Sequence, residues 1–488
     1  MKTLMIGMDG VQAETFQRGW TPYISSLIEQ GEQLLLKEDL ISRGWDEILT
    51  GQHAITTGAL YDRAVLNGTH EWSTKFKIND IPGLGTAVKP IWQVLNERGY
   101  RVGIMNVPTT SPAPAVDGFF VSGGGGGTAV MQEVAPEQCH PEEIVPALND
   151  LGYIPDERPP SLFGEKKLYQ PKDLFARLEK MVEKRTQAFI KLAKDYEIDF
   201  GFLVYRSSVM AEIFCLPDWA RHLKGIKGVN HELLDAIKHF YQHLDEQVRL
   251  LVESFSDPEV VLVSDHAMTV TKWHVNINTF LREQGFQKSS SKSKSVYKFV
   301  NYVKFCTPVS IRTKLGKISK VRKAYVGVTP FDTKSSMAFC MVMGDWVHGI
   351  FINDRERFGG PVPESDIHEL SEKIAQAFNL APASIEHGLS ARVKSDVKTA
   401  SSQYFQDVIL DMPDGYLTSN ASQPFVAEIK LPEGPQDFTS VATGPSLCAK
   451  ARIPLSVTVN NIWKVDTTIE KQDLRLIYDH VLAVFGEH

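Results

Sequence analysis

The sequence predicts an α/β protein in which a mainly parallel sheet is flanked by helices and carries an inserted cap. At the start of the chain, strand-like and helix-like segments alternate: LMIGM precedes TPYISSLIEQG, and KPIWQVLNERG precedes RVGIMNV. Such alternation favours parallel strands with helices on both faces of the sheet. The two helical segments end at Gly31 and Gly99, and glycine is a common helix stop because it adopts left-handed backbone conformations easily. The length of 488 residues suits a large α/β domain with an insertion better than one ordinary compact core.

Composition and charge exclude several classes of protein. Apolar residues make up 43% of the chain and charged residues 23%, which is the balance of a globular protein. The net charge of −7 provides no overall attraction to nucleic acid, and no nucleic-acid-binding module is evident. No run is long and apolar enough for a transmembrane helix, and the N-terminal residues show no secretory pattern. A homodimer is compatible with these features.

The cysteines favour a reducing compartment. Five of them are scattered through the chain without a CxxC pair: Cys139, Cys215, Cys306, Cys340 and Cys448. A sparse, odd-numbered set argues against a disulfide framework. We therefore expect reduced thiols in packing positions and a cytoplasmic protein.

Metal-type ligands follow two strand-like segments that are far apart in the sequence. The first strand runs directly into Asp9, and the segment EVVLVS runs into Asp265 and His266. Because ligands collect at the carboxyl ends of parallel strands, these side chains are expected at one edge of the sheet. The alternative is an aspartate that caps the next helix and a histidine that bonds a backbone carbonyl.

A basic stretch suggests where the cap lies. Residues 288–323 contain eleven lysines and arginines and no acidic residue, interleaved with aromatic residues. We expect the core to comprise residues 1–285 and 405–488, and the basic cap to comprise residues 286–404. The basic stretch is interpreted as a solvated helical cap, or alternatively as a positive lid over an anionic substrate or a patch that touches an anionic surface.

Four segments, in order, resemble hydrolases of the alkaline-phosphatase superfamily, in the type I phosphodiesterase and nucleotide pyrophosphatase branch. These segments are IGMDG with TPYISSLIEQG, KPIWQVLNERGYRVGIMNV, SDHAM with NINTFLREQGF, and FDTKSSMAFCMVMGDWVHGIFINDRERFGGPV. The resemblance implies an alkaline-phosphatase-like core and two divalent ions that activate a nucleophilic Ser or Thr. It assigns Asp9, Asp265 and His266 to one ion, and this mixture of oxygen and imidazole donors suits Zn²⁺ or Mn²⁺, with Mg²⁺ as a further candidate.

The predicted nucleophile departs from the family pattern. In the family this residue lies nine positions before the Thr of a Thr-Gly pair, which here is Thr50-Gly51, and counting back reaches Ile41. A loop shorter by one residue would place Ser42 correctly, so Ser42 is the predicted nucleophile, with a helix N-cap serine as the alternative. Arg43 is expected to bind phosphate oxygens with its planar guanidinium, or else to form a surface salt bridge.

The second metal site departs further from the family. Where the family has Asp-x-x-x-His after the strand aligned with FLVY, this chain has Ser208 and Glu212. Glu212 is the predicted ligand there, and His274 is the predicted substitute for a late histidine that has no counterpart near the C-terminus. A packed or surface histidine is the alternative for His274. The second ion is therefore expected to be weak, rearranged or missing.

Together these features predict metal-dependent hydrolysis of a small anionic phosphate mono- or diester through Ser42. One alternative is a phosphotransferase or mutase of the same superfamily, which passes the phosphoryl group to a substrate hydroxyl. The other is a binding protein that kept the fold and lost catalysis, because a fold alone does not establish activity.

Overall fold

The computed structural model describes residues 1–124, 133–157, 171–289, 331–342, 348–395, 398–419, 424–431, 447–466, 468 and 472–486. The basic stretch, apart from residues 288 and 289, lies outside the described residues. Its predicted role as a lid or a solvated surface therefore stays a prediction.

The strands are β1 (Thr3–Met8), β2 (Glu32–Gln33), β3 (Arg63–Ala64), β4 (Trp72–Ser73), β5 (Val102–Met105), β6 (Gly118–Val121), β7 (Cys139–His140), β8 (Phe200–Tyr205), β9 (Glu259–Val263), β10 (Ala267–Val270), β11 (Trp273–Val275), β12 (Ala338–Phe339), β13 (Phe351–Ile352), β14 (Ser390–Val393), β15 (Val408–Asp411), β16 (Tyr416–Thr418), β17 (Val426–Glu428), β18 (Cys448–Ala451) and β19 (Ser456–Val459). The α-helices are α1 (Ala13–Phe16), α2 (Pro22–Gln30), α3 (Gly44–Thr50), α4 (Ala54–Thr57), α5 (Ile91–Glu97), α6 (Ile144–Asp150), α7 (Pro171–Asp195), α8 (Ser207–Leu223), α9 (His231–Glu253), α10 (Ile277–Glu283), α11 (Arg355–Phe358), α12 (Ile367–Leu380), α13 (Pro382–His387) and α14 (Arg475–Val484).

An eight-stranded sheet with the order β2-β19-β9-β1-β8-β5-β6-β7 forms the centre of the protein. Its five middle strands, from β9 to β6, run parallel to one another. The outer strands β19, β2 and β7 pair antiparallel to their neighbours. The predicted α/β fold with a mainly parallel sheet flanked by helices is confirmed.

Strand β1 shows why the sheet is covered on both faces. All six of its residues are buried, as expected for a central strand of a parallel sheet. Because side chains alternate across a strand, Leu4, Ile6 and Met8 join a cluster with residues of α2, α7 and α9. Met5 points to the other face and joins a cluster with residues of α3, α5 and α14. Helices on both faces thus hold β1 and the segment after it in place.

A third hydrophobic cluster extends from Val275 to Phe425 and contains residues of α10, α12 and β12 to β15. At its centre the Phe280 ring lies 5.2 Å from the Phe378 ring and 5.1 Å from the Phe425 ring, measured between ring centroids. This cluster begins before and ends after the predicted cap boundaries at residues 286 and 404. The division into core and cap stays a prediction.

Two further properties concern the helices and the cysteines of the described residues. None of their helices is long and apolar enough to cross a membrane. The four cysteines among them are buried and form no disulfide with one another, namely Cys139, Cys215, Cys340 and Cys448.

Candidate metal centre

The register between β1 and β9 brings two aspartates together. Gly7 of β1 pairs with Val263 of β9, and Asp9 and Asp265 each lie two residues beyond that pair. The two carboxyl groups therefore leave the sheet at the same edge, and both are buried. Ligand atoms of Asp9, Asp265 and His266 all lie within 4.8 Å of one another. The structure thus brings together three of the five predicted metal ligands.

The imidazole of His266 is oriented for metal binding. Its Nδ1 donates a hydrogen bond to the carbonyl oxygen of Ala267 at 2.9 Å. This bond fixes the tautomer and leaves a lone pair on Nε2. Nε2 lies 3.5 Å from Asp9 Oδ1 and 3.5 Å from Asp265 Oδ2. A lone pair facing two carboxylates is unfavourable unless a cation lies between them, and a divalent ion fits there.

Burial shapes the protonation of all three side chains. Burial, reinforced by the nearby Asp265 carboxylate, raises the pKa of Asp9 to about 6. Burial also raises the pKa of Asp265. Burial and the nearby Lys450 ammonium lower the pKa of His266 to about 3. His266 is therefore neutral at pH 7, as a metal ligand must be.

The chemistry of the donor set also fits a metal ion. Oδ1 of Asp265 is buried and has no hydrogen-bond partner among the described residues. A buried carboxylate oxygen without a partner is costly, and coordination to a cation removes that cost. Two carboxylates and one imidazole are donors that Zn²⁺ and Mn²⁺ accept.

Three residues that the sequence did not single out surround this cluster. Nε of Arg206 lies 3.9 Å from Asp9 Oδ2, and the Lys450 ammonium interacts electrostatically with both aspartates. The same ammonium lies 3.5 Å from the centroid of the Tyr61 ring. Arg206 directly follows strand β8, so the argument from strand ends, applied to every strand, would have found it. No local sequence pattern points to Lys450, because only the pairing of β18 with β10 brings it to the cluster.

Ser42 and Arg43 precede helix α3. The Ser42 hydroxyl is buried and accepts a hydrogen bond from the Ala54 amide at 3.0 Å. Arg43 donates to three backbone carbonyls, from Nε to Leu60 at 2.9 Å and from Nη2 to Tyr61 at 3.1 Å and to Thr74 at 3.0 Å. The surface salt bridge considered for Arg43 is therefore replaced by bonds to the backbone.

Gly44 links this segment to the metal cluster. A Cβ added at Gly44 would lie 2.3 Å from the carbonyl oxygen of Asp265. Only glycine permits so close an approach of two backbones. The start of α3, two residues after Ser42, therefore packs directly against the strand end that carries Asp265.

Glu212 and His274 do not join the cluster. The two carboxylate oxygens of Glu212 accept hydrogen bonds from Arg18 at 2.6 and 2.7 Å, and one of them also accepts a bond from the Tyr241 hydroxyl at 2.5 Å. Both oxygens of this carboxylate are thus engaged with Arg18, and the structure does not bring Glu212 to the cluster. His274 is half-buried in β11, between β16 and β17, in agreement with the alternative of a packed histidine.

The serine at the other family position is also engaged elsewhere. The Ser208 hydroxyl lies within hydrogen-bond distance of the carbonyl oxygens of Asp9 at 2.7 Å and Tyr205 at 2.9 Å, and its one hydrogen is directed at these two acceptors. It therefore supports the backbone of Asp9. Among the described residues, Asp9, Asp265 and His266 form the group whose donor atoms lie close enough for one ion.

The fold is of the alkaline-phosphatase type, and the comparison with known families agrees. The profile of the type I phosphodiesterase / nucleotide pyrophosphatase family matches residues 3–325, which is more than half of the chain. The chain belongs to this family, so the predicted resemblance is confirmed. Family membership indicates a phosphoester hydrolase. No curated protein sequence matches the chain significantly.

The first of two similar solved structures supports the fold. Phosphonoacetate hydrolase from Sinorhizobium meliloti 1021, in complex with phosphonoformate, is 10% identical in sequence and has a TM-score of 0.55, with 99% of this chain and 96% of that chain covered. Murine ectonucleotide pyrophosphatase/phosphodiesterase 5 is 12% identical with a TM-score of 0.43, over 100% of this chain and 96% of that chain. At these identities the likeness to the first structure establishes the fold alone.

Proposed function

We propose that this chain is a metal-dependent hydrolase of small phosphate mono- or diesters, in which Asp9, Asp265 and His266 hold Zn²⁺ or Mn²⁺. The buried cluster of these three side chains carries the proposal. When bound, the ion would supply positive charge to the phosphoryl oxygens. Mg²⁺ is a further candidate, although the imidazole donor favours the other two ions.

We propose Ser42 as the nucleophile. Its Oγ would form a bond to phosphorus while the ester P–O bond breaks, and its proton would pass to the departing alkoxide, which leaves as the alcohol. Water would then hydrolyse the phosphoserine, which releases the phosphate product and restores the serine hydroxyl. Support comes from the amide of Ala54, whose hydrogen bond to Oγ favours the ionised oxygen, and from the contact of Gly44 with Asp265.

We propose that Arg43 and the cations near the cluster bind the substrate's phosphate group. Bonds to three backbone carbonyls hold the Arg43 guanidinium 5.4 Å from the centroid of the Tyr61 ring, measured from Cζ. A guanidinium fixed in this way loses little conformational entropy when it binds a phosphate oxygen. Lys450 and Arg206 approach from the side of the aspartates.

A panel of nitrophenyl mono- and diesters tests this function. The metal-free protein should be inactive, and added Zn²⁺ or Mn²⁺ should restore turnover that Asp265→Asn lacks. Transfer of phosphate to an added alcohol in preference to water would instead indicate a phosphotransferase. Metal and phosphate binding without turnover would indicate a binding protein.

We further propose that the protein works in the cytoplasm. The described cysteines are buried and form no disulfide with one another, which is consistent with a reducing compartment. Cell fractionation with an antibody against the native protein tests this location, and recovery from the medium would contradict it.

A further inference from the structure

We propose that the Lys450 ammonium supplies the charge that a second metal ion would supply, so that the centre takes one divalent ion. This inference rests on the proposed function, because it assumes that the ligand is a phosphate ester. Two observations support it: Ser208 and Glu212 form hydrogen bonds with other groups of the protein, and Lys450 lies beside the metal cluster.

The two residues that the resemblance places at a second ion contact other groups. The hydroxyl hydrogen of Ser208 is directed at backbone carbonyl oxygens. Glu212 forms a bidentate ion pair with Arg18, in which the Glu212 side chain is 1% exposed and the Arg18 side chain is 6% exposed. Moving Glu212 toward the cluster would leave the Arg18 charge buried without its partner, which is strongly unfavourable. These two positions therefore do not provide a second set of donors.

Lys450 is held at the cluster by its strand. Strand β18 pairs antiparallel with β10, and Lys450 lies opposite Met268, two residues after His266. The ammonium lies 3.5 Å from the centroid of the Tyr61 ring, an arrangement that stabilises a cation. The side chain is half-buried and interacts with the charges of Asp9 and Asp265. A fixed positive charge thus stands beside the two carboxylates.

Arg206 is a less suitable source of this charge. Its Nε lies 3.9 Å from Asp9 Oδ2, but its Nη1 is also 3.4 Å from Asp156 Oδ2. The guanidinium is therefore shared between two carboxylates. Lys450 is the residue whose charge the inference concerns.

A fixed ammonium has opposite effects on the two ligands of the centre. It attracts the oxygens of a phosphate group and repels a divalent cation. Removing its charge should therefore weaken phosphate binding and strengthen metal binding. A residue with a merely structural role would weaken both.

The test is calorimetric titration of the purified full-length protein with Mn²⁺, and of the Mn²⁺-loaded protein with inorganic phosphate. The wild type should bind one equivalent of Mn²⁺. Lys450→Met, which keeps the apolar stem, should bind Mn²⁺ at least about tenfold more tightly and phosphate at least about tenfold more weakly. Lys272→Met, at an exposed position just after β10, is the matched control and should behave as the wild type.

Two measurements keep the inference separate from folding and from the proposed function. Lys450→Arg keeps the charge and should retain phosphate affinity, even if Lys450→Met folds poorly. Two Mn²⁺ equivalents in the wild type, or loss of phosphate affinity in Lys450→Arg with circular dichroism unchanged, would overturn the inference. Turnover of nitrophenyl esters by the wild type, combined with no shift in either affinity in a folded Lys450→Met, would overturn it while leaving the proposed function standing. The expected shifts without any turnover would support the role of Lys450 and refute the hydrolase.

Discussion

Glu212→Gln removes one charge from a buried ion pair, and we expect it to destabilise the protein without changing its metal content. The carboxylate of Glu212 lies 2.6 and 2.7 Å from two guanidinium nitrogens of Arg18 and accepts the Tyr241 hydroxyl. The three groups come from the segment after α1, from α8 and from α9. The substitution leaves Arg18 charged, because an arginine does not lose its proton in a folded protein.

The size of the effect follows from burial. With charge centres about 4 Å apart, the attraction is about 4 kcal/mol at an effective dielectric constant of about 20. Exposures of 6% for Arg18 and 1% for Glu212 leave little water to screen the charge that remains. Breaking one partner of such a pair costs about 3–5 kcal/mol. We therefore expect Glu212→Gln to lower the free energy of unfolding by about 3–5 kcal/mol.

The assay is urea unfolding followed by circular dichroism, combined with elemental analysis for bound metal. Glu246→Gln is the matched control, because it removes an exposed ion pair with Arg249 on α9 and should change stability little. The double variant Arg18→Met with Glu212→Leu should recover much of the lost stability, since no charge stays buried alone. Loss of bound metal in a stable Glu212→Gln variant would refute this reasoning and return Glu212 to the metal site.

Three further predictions concern the centre and its surroundings. Asp265→Asn should lower Mn²⁺ affinity by on the order of 100-fold or more while leaving the fold intact, measured by calorimetry and circular dichroism; unchanged affinity would exclude Asp265 as a ligand. Ser42→Ala should remove the phosphoserine intermediate, trapped by acid quench and detected by mass spectrometry, and should reduce kcat at least about 100-fold; full turnover would mean that water attacks phosphorus directly. Burial raises the pKa of Glu38 from 4.5 to about 8, so the folded protein holds a proton there that the unfolded chain has lost, and this group makes stability fall as pH rises from about 4.5 to about 8. This loss of stability is at most about 1.4 kcal/mol per pH unit, and Glu38→Gln should remove it. The stability of the variant relative to the wild type, measured by urea titration, should therefore increase from pH 5 to pH 8. A difference that does not change with pH would contradict the shifted pKa.

The sequence alone was sufficient for the sheet and for bringing together one group of side chains that could hold a metal ion. Buried strands that end in Asp9 and in Asp265 and His266 are short, local patterns, and the common direction of parallel strands determines where those ends meet. The family and the α/β fold followed from the same local segments. These inferences required no knowledge of which distant residues touch.

The partners of the remaining charges were decided by the tertiary structure. Glu212 is a ligand of the second ion in the prediction from the family resemblance, but the packing of α8 brings it to Arg18, 194 residues away in the sequence. Lys450 comes to the cluster only because β18 pairs with β10. A buried charge must find a partner of opposite sign, and which partner it finds depends on contacts between distant segments that no local pattern specifies.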